Sequence, residues 1–182
     1  VTINEVRTLA RRNVAVAHCP VSNMKLASGG VAPLPEMFRE GVAVGLGTDS
    51  PISNNSLDLF AEMKTCALLH KATRWDASVL PAQRVLDLAT IDAAKTLGMG
   101  SELGSIEVGK RADLAVVDLR RPHATPFYSD SLCSQLVYAS RAADVRATIV
   151  DGAIRVGDGR VVGVDEAEIL SRAQEIADEL FG

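Results

Sequence analysis

The sequence predicts an α/β chain in which a parallel sheet carries helices on its outside and is followed by a small antiparallel β unit. Three observations predict it. Two short apolar runs, residues 14–17 and 42–46, have the unbroken hydrophobicity of strands buried on both faces. Each run leads into a long polar loop and then a helical pattern, so strand, loop and helix alternate twice. From about Gly104 onward, short strands alternate with Asp-Gly and Gly-Asp-Gly steps, which favour tight hairpins.

Taken in order, Thr2 and Glu5 have capping-box spacing, and Ile3, Val6, Leu9 and Ala10 share one helical face before Arg11 and Arg12 complement the helix C-terminus. The first strand, 14–17, ends at His18, and a loop over 19–30 contains Pro20, Ser22, Asn23, Ser28, Gly29 and Gly30. Pro35 opens a helix that Gly41 closes. The second strand, 42–46, leads into the polar loop 47–56, and Leu57, Phe60, Met63, Ala67 and Leu68 mark a long amphipathic helix. Both polar loops follow the C-terminal ends of their strands, the edge where parallel α/β sheets build their sites.

After Pro81 the pattern predicts helices over 82–89 and 91–97, the second capped by Thr90 and stopped by Gly98. Short strands are predicted over 105–108, 114–118, 145–150, 153–156 and 160–162, and a last amphipathic helix over 166–180, with Ile169, Ala173, Ile176 and Leu180 on one face. The organisation that follows is a parallel α/β segment over 1–102, an antiparallel β segment over 103–164 and a C-terminal helix over 165–182. No internal repeat or low-complexity segment interrupts it.

With 182 residues the chain is shorter than the ~250 residues of a complete (β/α)8 barrel. Although 47% of the residues are hydrophobic, no apolar run approaches the ~18 residues a spanning helix needs, which excludes a helical membrane protein. Nineteen Lys and Arg against 23 Asp and Glu give a net charge of -4 with no cationic block, which argues against nucleic acid or an anionic membrane as partner. Cys19, Cys66 and Cys133 are odd in number and lack CxxC spacing, so neither a disulfide framework nor a thiolate metal site is expected, and a reducing, cytoplasmic compartment is. The chain starts at Val1, with a polar helix signal directly after it. It is therefore expected to begin partway through a longer polypeptide.

The most informative stretch is Gly45-Leu46-Gly47-Thr48-Asp49 with Ser50 to Ser56 behind it. A carboxylate directly after a buried strand can serve as a hard oxygen ligand or as a proton carrier. On spacing alone, an Asp in a Gly-Ser-Asn loop reads first as a turn or helix cap, and spacing does not settle the choice. Gly45-Leu46-Gly47 is not a dinucleotide loop, because Ser50 stands where GxGxxG requires glycine. His18 ends the preceding strand, on the same edge as Asp49, and can meet it across adjacent or near-adjacent strands, or be a hydrogen-bonded structural residue. His70 reads as a dipole partner following the amphipathic helix, and His123 as a loop residue; neither is assigned to chemistry. A serine hydrolase built from Ser22 or Ser53 with His18 and Asp49 lacks a GxSxG elbow.

At HCPVSNMKLASGG (18–30), GLGTDSPISNNSLDLF (45–60) and LGSIEVGKRADLAVVD (103–118) the sequence resembles the amidohydrolase superfamily, in particular its branch of chlorohydrolases and aminohydrolases acting on purines, pyrimidines and triazines. The resemblance runs from Val1 to about Val162. It implies the C-terminal part of a metal-dependent (β/α)8 barrel holding one divalent ion, Zn or Fe, plus part of a composite antiparallel β-sandwich. Residues 14–18 then look like the sixth barrel strand and 42–49 like the eighth or an equivalent late strand, with about three barrel strands present in all. Asp49 matches the family aspartate that ligates the metal and shuttles the proton. His18 matches a family histidine that is not a ligand and is placed at the site edge with Ser22 and Asn23. Ser53 and Asn54 match a segment that organises the loop through side-chain to backbone bonds.

The family's HxH pair, the histidine and glutamate after its fifth strand, and a histidine expected just before residue 1 are absent, so the chain holds one expected metal ligand, too few to close a site. Residues 1–182 are accordingly expected to be the C-terminal portion of an enzyme more than twice this length, with the N-terminal half as its partner. A native start at Val1 would overturn that. The closing segment, 136–162, is most similar to deaminases of S-adenosylhomocysteine and methylthioadenosine. The implied activity is hydrolytic deamination of a purine nucleoside or related small N-heterocycle, with triazine chlorohydrolase or guanine- or cytosine-type deaminase as alternatives. A non-catalytic amidohydrolase-like scaffold is the alternative of another class, and a homo-oligomer is left open.

Overall fold

The computed structural model describes residues 1–182. Helix α1 (Ile3–Arg11) starts with the capping box in place: the Glu5 N–H donates to the Thr2 hydroxyl, and the Thr2 N–H donates to the Glu5 carboxylate. The chain then enters β1 (Val16–His18), two residues later than the apolar run suggests. The reason is local: the Val14 N–H donates to the Leu9 carbonyl, finishing the helix end, and Val14 stays exposed.

Strand β1 pairs in parallel with β2 (Val44–Leu46), in the register Val16 to Val44, Ala17 to Gly45 and His18 to Leu46. The two strands are hydrogen-bonded neighbours, so they are consecutive in the sheet. The sixth-and-eighth numbering, which leaves a strand between them, does not hold, and two barrel strands stand where about three were expected. β2 is buried along its whole length, whereas Ala17 of β1 is exposed.

Between the strands lie α2 (Pro20–Lys25) and α3 (Leu34–Arg39). α2 occupies part of what reads as loop, because Pro20 at the first helical position has its backbone preset for a helix and has no N–H to leave unpaired. Gly41, at φ 79, closes the turn after α3 by donating its N–H to the Phe38 carbonyl. After β2 a four-residue helix, α4 (Pro51–Asn54), again replaces loop, and Asn55 ends it in the left-handed region.

Helix α5 (Leu59–Arg74) is capped by Asp58, which accepts the Phe60 and Ala61 N–H groups. Its buried face is Glu62, Met63, Cys66, Ala67 and His70, while Leu57 and Leu68 of the expected apolar face are exposed. α6 (Ala82–Ala89) and α7 (Ile91–Thr96) follow; Thr90 is not a side-chain cap, since its hydroxyl donates backwards to the Leu86 carbonyl. One core joins these elements, with Val6, Leu34, Met37, Val44, Leu46, Met63, Val85 and Leu88 at its centre.

A separate antiparallel sheet has the order β3 (Leu114–Val117), β4 (Val145–Val150), β5 (Ala153–Gly157) and β6 (Arg160–Val161). Asp151-Gly152 and Asp158-Gly159 make its hairpin turns, all four residues at positive φ, as such two-residue turns require. Residues 105–108 are irregular chain leading into a turn and not the expected strand; Ile106 and Val108 are both exposed, so no sheet face takes their side chains. Between β3 and β4, α8 (Leu132–Ser134) runs on into a π-helical turn over Gln135–Ala139, which inserts Val137 into the main core. The chain ends in α9 (Glu166–Phe181), capped by Asp165, with Ile169, Leu170, Ile176 and Leu180 exposed.

Gly45 marks the closest approach of β2 to α7: a Cβ there would stand 2.9 Å from the Ala93 Cα and 3.3 Å from the Ala93 Cβ. Gly45→Ala should therefore lower stability by about 1–3 kcal/mol in urea unfolding, the usual cost of overpacking a dense interior. Gly30→Ala, where an added Cβ meets nothing within 4 Å, should leave the unfolding midpoint nearly unchanged.

Candidate active site

The Gly47 N–H donates to the His18 carbonyl at 2.9 Å, so the parallel ladder continues one residue past β2 and both loops leave the sheet side by side. Asp49 follows at φ 60, a conformation that Asp tolerates better than most residues. Its Oδ2 accepts the Ser22 hydroxyl at 2.7 Å from α2 and the Ser53 hydroxyl at 2.7 Å from α4. Segments after both strands thus converge on one oxygen, while Oδ1 accepts no side-chain hydrogen bond. The Ser22 and Ser53 hydroxyls, with the Ser50 N–H, hold the Asp49 carboxyl below its usual range, so it is ionised. α4 begins at Ser50 without a side-chain cap, so Asp49 is not the cap of that helix.

Behind Asp49 sits a second carboxylate. The Asn54 Nδ2 donates to the Thr48 carbonyl at 2.6 Å and to Glu62 Oε1 at 2.5 Å, and the Val21 N–H donates to Glu62 Oε2 at 3.3 Å. Burial pushes the Glu62 carboxyl up, against the pull of these two donors. Ser53 also donates to the Ser50 carbonyl at 3.1 Å. Asn23 is not in this cluster: its carbonyl accepts the Ser28 N–H, and it lines a cavity of about 160 Å³ with His18, Met24 and Leu69.

His18 does not meet Asp49. Its side chain turns into the interior, where its Nε2 lies 3.3 Å from the Nε2 of His70 and the two rings meet edge to face. His70 lies inside α5, which continues to Arg74, so it is not a partner for the helix end; it is fully buried and its Nδ1 has no hydrogen-bond partner. Burial pushes both imidazoles down to about 4, with His70 adding to the effect on His18 and Arg74 to that on His70. Sequence reasoning missed this pair, although Glu62, Cys66 and His70 recur every four residues and so share one helical stripe. His123, on the outer unit, bonds Asp144 at 2.9 Å.

The serine-hydrolase geometry is absent, because the Ser22 and Ser53 hydroxyls donate to Asp49 and neither meets a histidine. Two groups could hold a metal. The ligand atoms of His18, Cys66 and His70 lie within 4.8 Å of one another, a soft donor set of the kind zinc takes. There, however, the two imidazole nitrogens already share a hydrogen bond, burial lifts the thiol to about 12, and all three residues are closed off from solvent. Asp49 offers an ionised hard oxygen with solvent access at the strand edge. It fits a catalytic ion; the buried trio fits packing.

The chain thus places an ionised aspartate at the C-terminal edge of parallel β/α units, with a separate antiparallel sheet further along. The chain belongs to the amidohydrolase family, whose model matches residues 1–155. It is 48% identical over 176 residues to a 5'-deoxyadenosine deaminase of Methanosarcina acetivorans, covering 97% of this chain and 40% of that protein. Identity is 47% over 173 residues to a 5-methylthioadenosine/S-adenosylhomocysteine deaminase of Syntrophobacter fumaroxidans, covering 95% and 39%. The crystal structure of an adenosine deaminase from Xanthomonas campestris with bound zinc superposes with a TM-score of 0.92 at 39% identity, over 98% of this chain and 40% of that one. The fold is thus part of a (β/α)8 barrel with part of its β-sandwich, and the chain spans about 40% of the length of the curated relatives it matches.

The buried imidazoles give the fold a pH dependence of definite sign. Their folded values, about 4, lie below the ordinary 6.5, so between those limits the unfolded chain binds more protons and stability falls as pH falls. Urea midpoints measured across that window should drop with acidification, and His70→Gln, which removes one of the two groups, should make the drop shallower by about half. A midpoint that stays flat in the unsubstituted protein would contradict the buried neutral pair.

Proposed function

We propose that this chain supplies the Asp49 side of the active centre of a metal-dependent aminohydrolase, one that deaminates the adenine ring of a purine nucleoside carrying a modified 5' position. The observation that carries the reading is the Asp49 carboxylate, ionised, fixed through Oδ2 by two hydroxyls and free of side-chain donors at Oδ1. The names of the relatives, 5'-deoxyadenosine and 5-methylthioadenosine/S-adenosylhomocysteine deaminase, support the substrate class. The zinc in the Xanthomonas campestris structure supports zinc as the divalent ion, with iron as the other candidate.

Asp49 would hold the ion through Oδ1. Bound there, a divalent ion lowers the pKa of water and so makes hydroxide available near neutral pH. Asp49 takes the proton that the attacking water gives up and delivers it to the amino group as the tetrahedral carbon collapses, so that water is consumed and ammonia released. Ser22 and Ser53 keep the carboxylate ionised until it takes that proton, and hold its orientation throughout. His18 and Asn23, expected at the site edge, have no part in this centre: His18 packs against His70 and Asn23 lines a neighbouring cavity. The remaining ion ligands and the base-reading residues come from protein beyond these 182 residues.

In this reading residues 1–102 belong to the catalytic barrel, 103–164 to the β-sandwich and 165–182 to a C-terminal helix. No helix is long and apolar enough to cross a membrane, and we place the reaction in the cytoplasm.

The zinc-loaded protein, carrying the additional length its relatives have, should release ammonia from 5'-deoxyadenosine, methylthioadenosine or S-adenosylhomocysteine. Asp49→Asn should lower kcat by about a hundredfold or more while circular dichroism stays unchanged, the range expected for losing a general acid–base. Absence of ammonia from all three nucleosides would sink the reading, and chloride release from a chlorotriazine would replace it.

A further inference from the structure

Glu62 lies on α5, 1% exposed, and pairs with no cation. A carboxylate in that position is costly unless hydrogen bonds compensate for its lost hydration, and a leucine or methionine would pack there at less cost. What the carboxylate adds is reach: its two oxygens accept from two different segments, Asn54 Nδ2 after β2 and the Val21 N–H after β1. Val21 directly precedes Ser22, and Asn54 directly follows Ser53. The same Asn54 amide donates to the Thr48 carbonyl, one residue before Asp49. Each of the three groups that make up the Asp49 cluster is therefore one peptide away from a group tied, directly or through Asn54, to Glu62.

We propose that Glu62 is the positioning residue of Asp49: by bridging Val21 and Asn54 it locks α2 and α4 at the separation that lets both serines reach one carboxylate oxygen. The inference rests on reading Asp49 as ligand and proton carrier. Glu62 itself touches neither substrate nor ion. Of the side chains that fit the space, only a carboxylate can do this, because glutamine carries one acceptor and would turn its own N–H groups toward one of the two donors.

The test is Glu62→Gln, with Glu62→Asp as a second variant, in the zinc-loaded protein of full length. E62Q should lower kcat by about tenfold to a hundredfold, with KM changed by less than about twofold, and weaken zinc binding in a chelator competition by about tenfold, as expected for an orienting partner of a ligand. In a Ser22→Ala/Ser53→Ala background the same substitution should cost less than about twofold, because the connection it acts through is already cut. E62D, which keeps the charge but loses one methylene, should fall between the two. Unchanged kcat and zinc affinity, or losses that multiply independently across the two backgrounds, overturn the proposal, as does failure of both variants to fold. Asp49→Asn is run beside them. If it stays active, the reading of Asp49 has failed; if it is inactive while E62Q is normal, only the role of Glu62 has.

Discussion

The parallel pairing of β1 with β2 is the constraint on which the rest depends, and its last rung, from the Gly47 N–H to the His18 carbonyl, sets where both loops leave the sheet. Ser22 and Asp49 are 27 residues apart in sequence, yet their oxygens lie 2.7 Å apart because those loops start from adjacent strand ends. A register slip of one residue would send the side chains of β2 to the opposite face and separate the two loops. The close packing of Gly45 against α7 and the buried length of β2 both oppose such a slip.

Above that rung the polar groups are sorted by depth, and depth decides their protonation. Asp49 is solvated and hydrogen-bonded, so it is held ionised; Glu62 is buried among neutral donors and is pushed toward protonation; His18 and His70 are buried as well and are held neutral. Of these four side chains only that of Asp49 belongs to a residue exposed to solvent. The buried groups contribute shape: Glu62 spans the two segments, and the His18 to His70 contact ties the end of β1 to α5.

Much of this was readable from residues whose physics is local. The Thr2 capping box, the Gly41 helix stop, the two Asp-Gly hairpins and the two apolar strands depend on neighbours within a few positions, and each is present, the strands starting two residues later than their apolar runs. Asp49 was legible as a strand-end carboxylate, though its helix-cap reading could be set aside only once Ser22 was seen to reach it from another segment. The stripe of Glu62, Cys66 and His70 was not legible, because a search for apolar periodicity passes over buried polar side chains, and what pairs with them lies 41 and 52 residues away. Residues 105–108 have strand-like composition but no sheet edge to join, and the count of strands between β1 and β2 is a property of pairing that composition does not contain.

We place the ion on Asp49 and not in the buried histidine and cysteine cluster. Anomalous diffraction at the zinc edge, from crystals of the full-length protein, distinguishes the two directly. A single strong peak is expected at about 2.0–2.2 Å from Asp49 Oδ1, the distance of a zinc to carboxylate bond, with Oδ2 still bonded to both serines. A peak between His18, Cys66 and His70, with Asp49 bonded only to its serines, would contradict it.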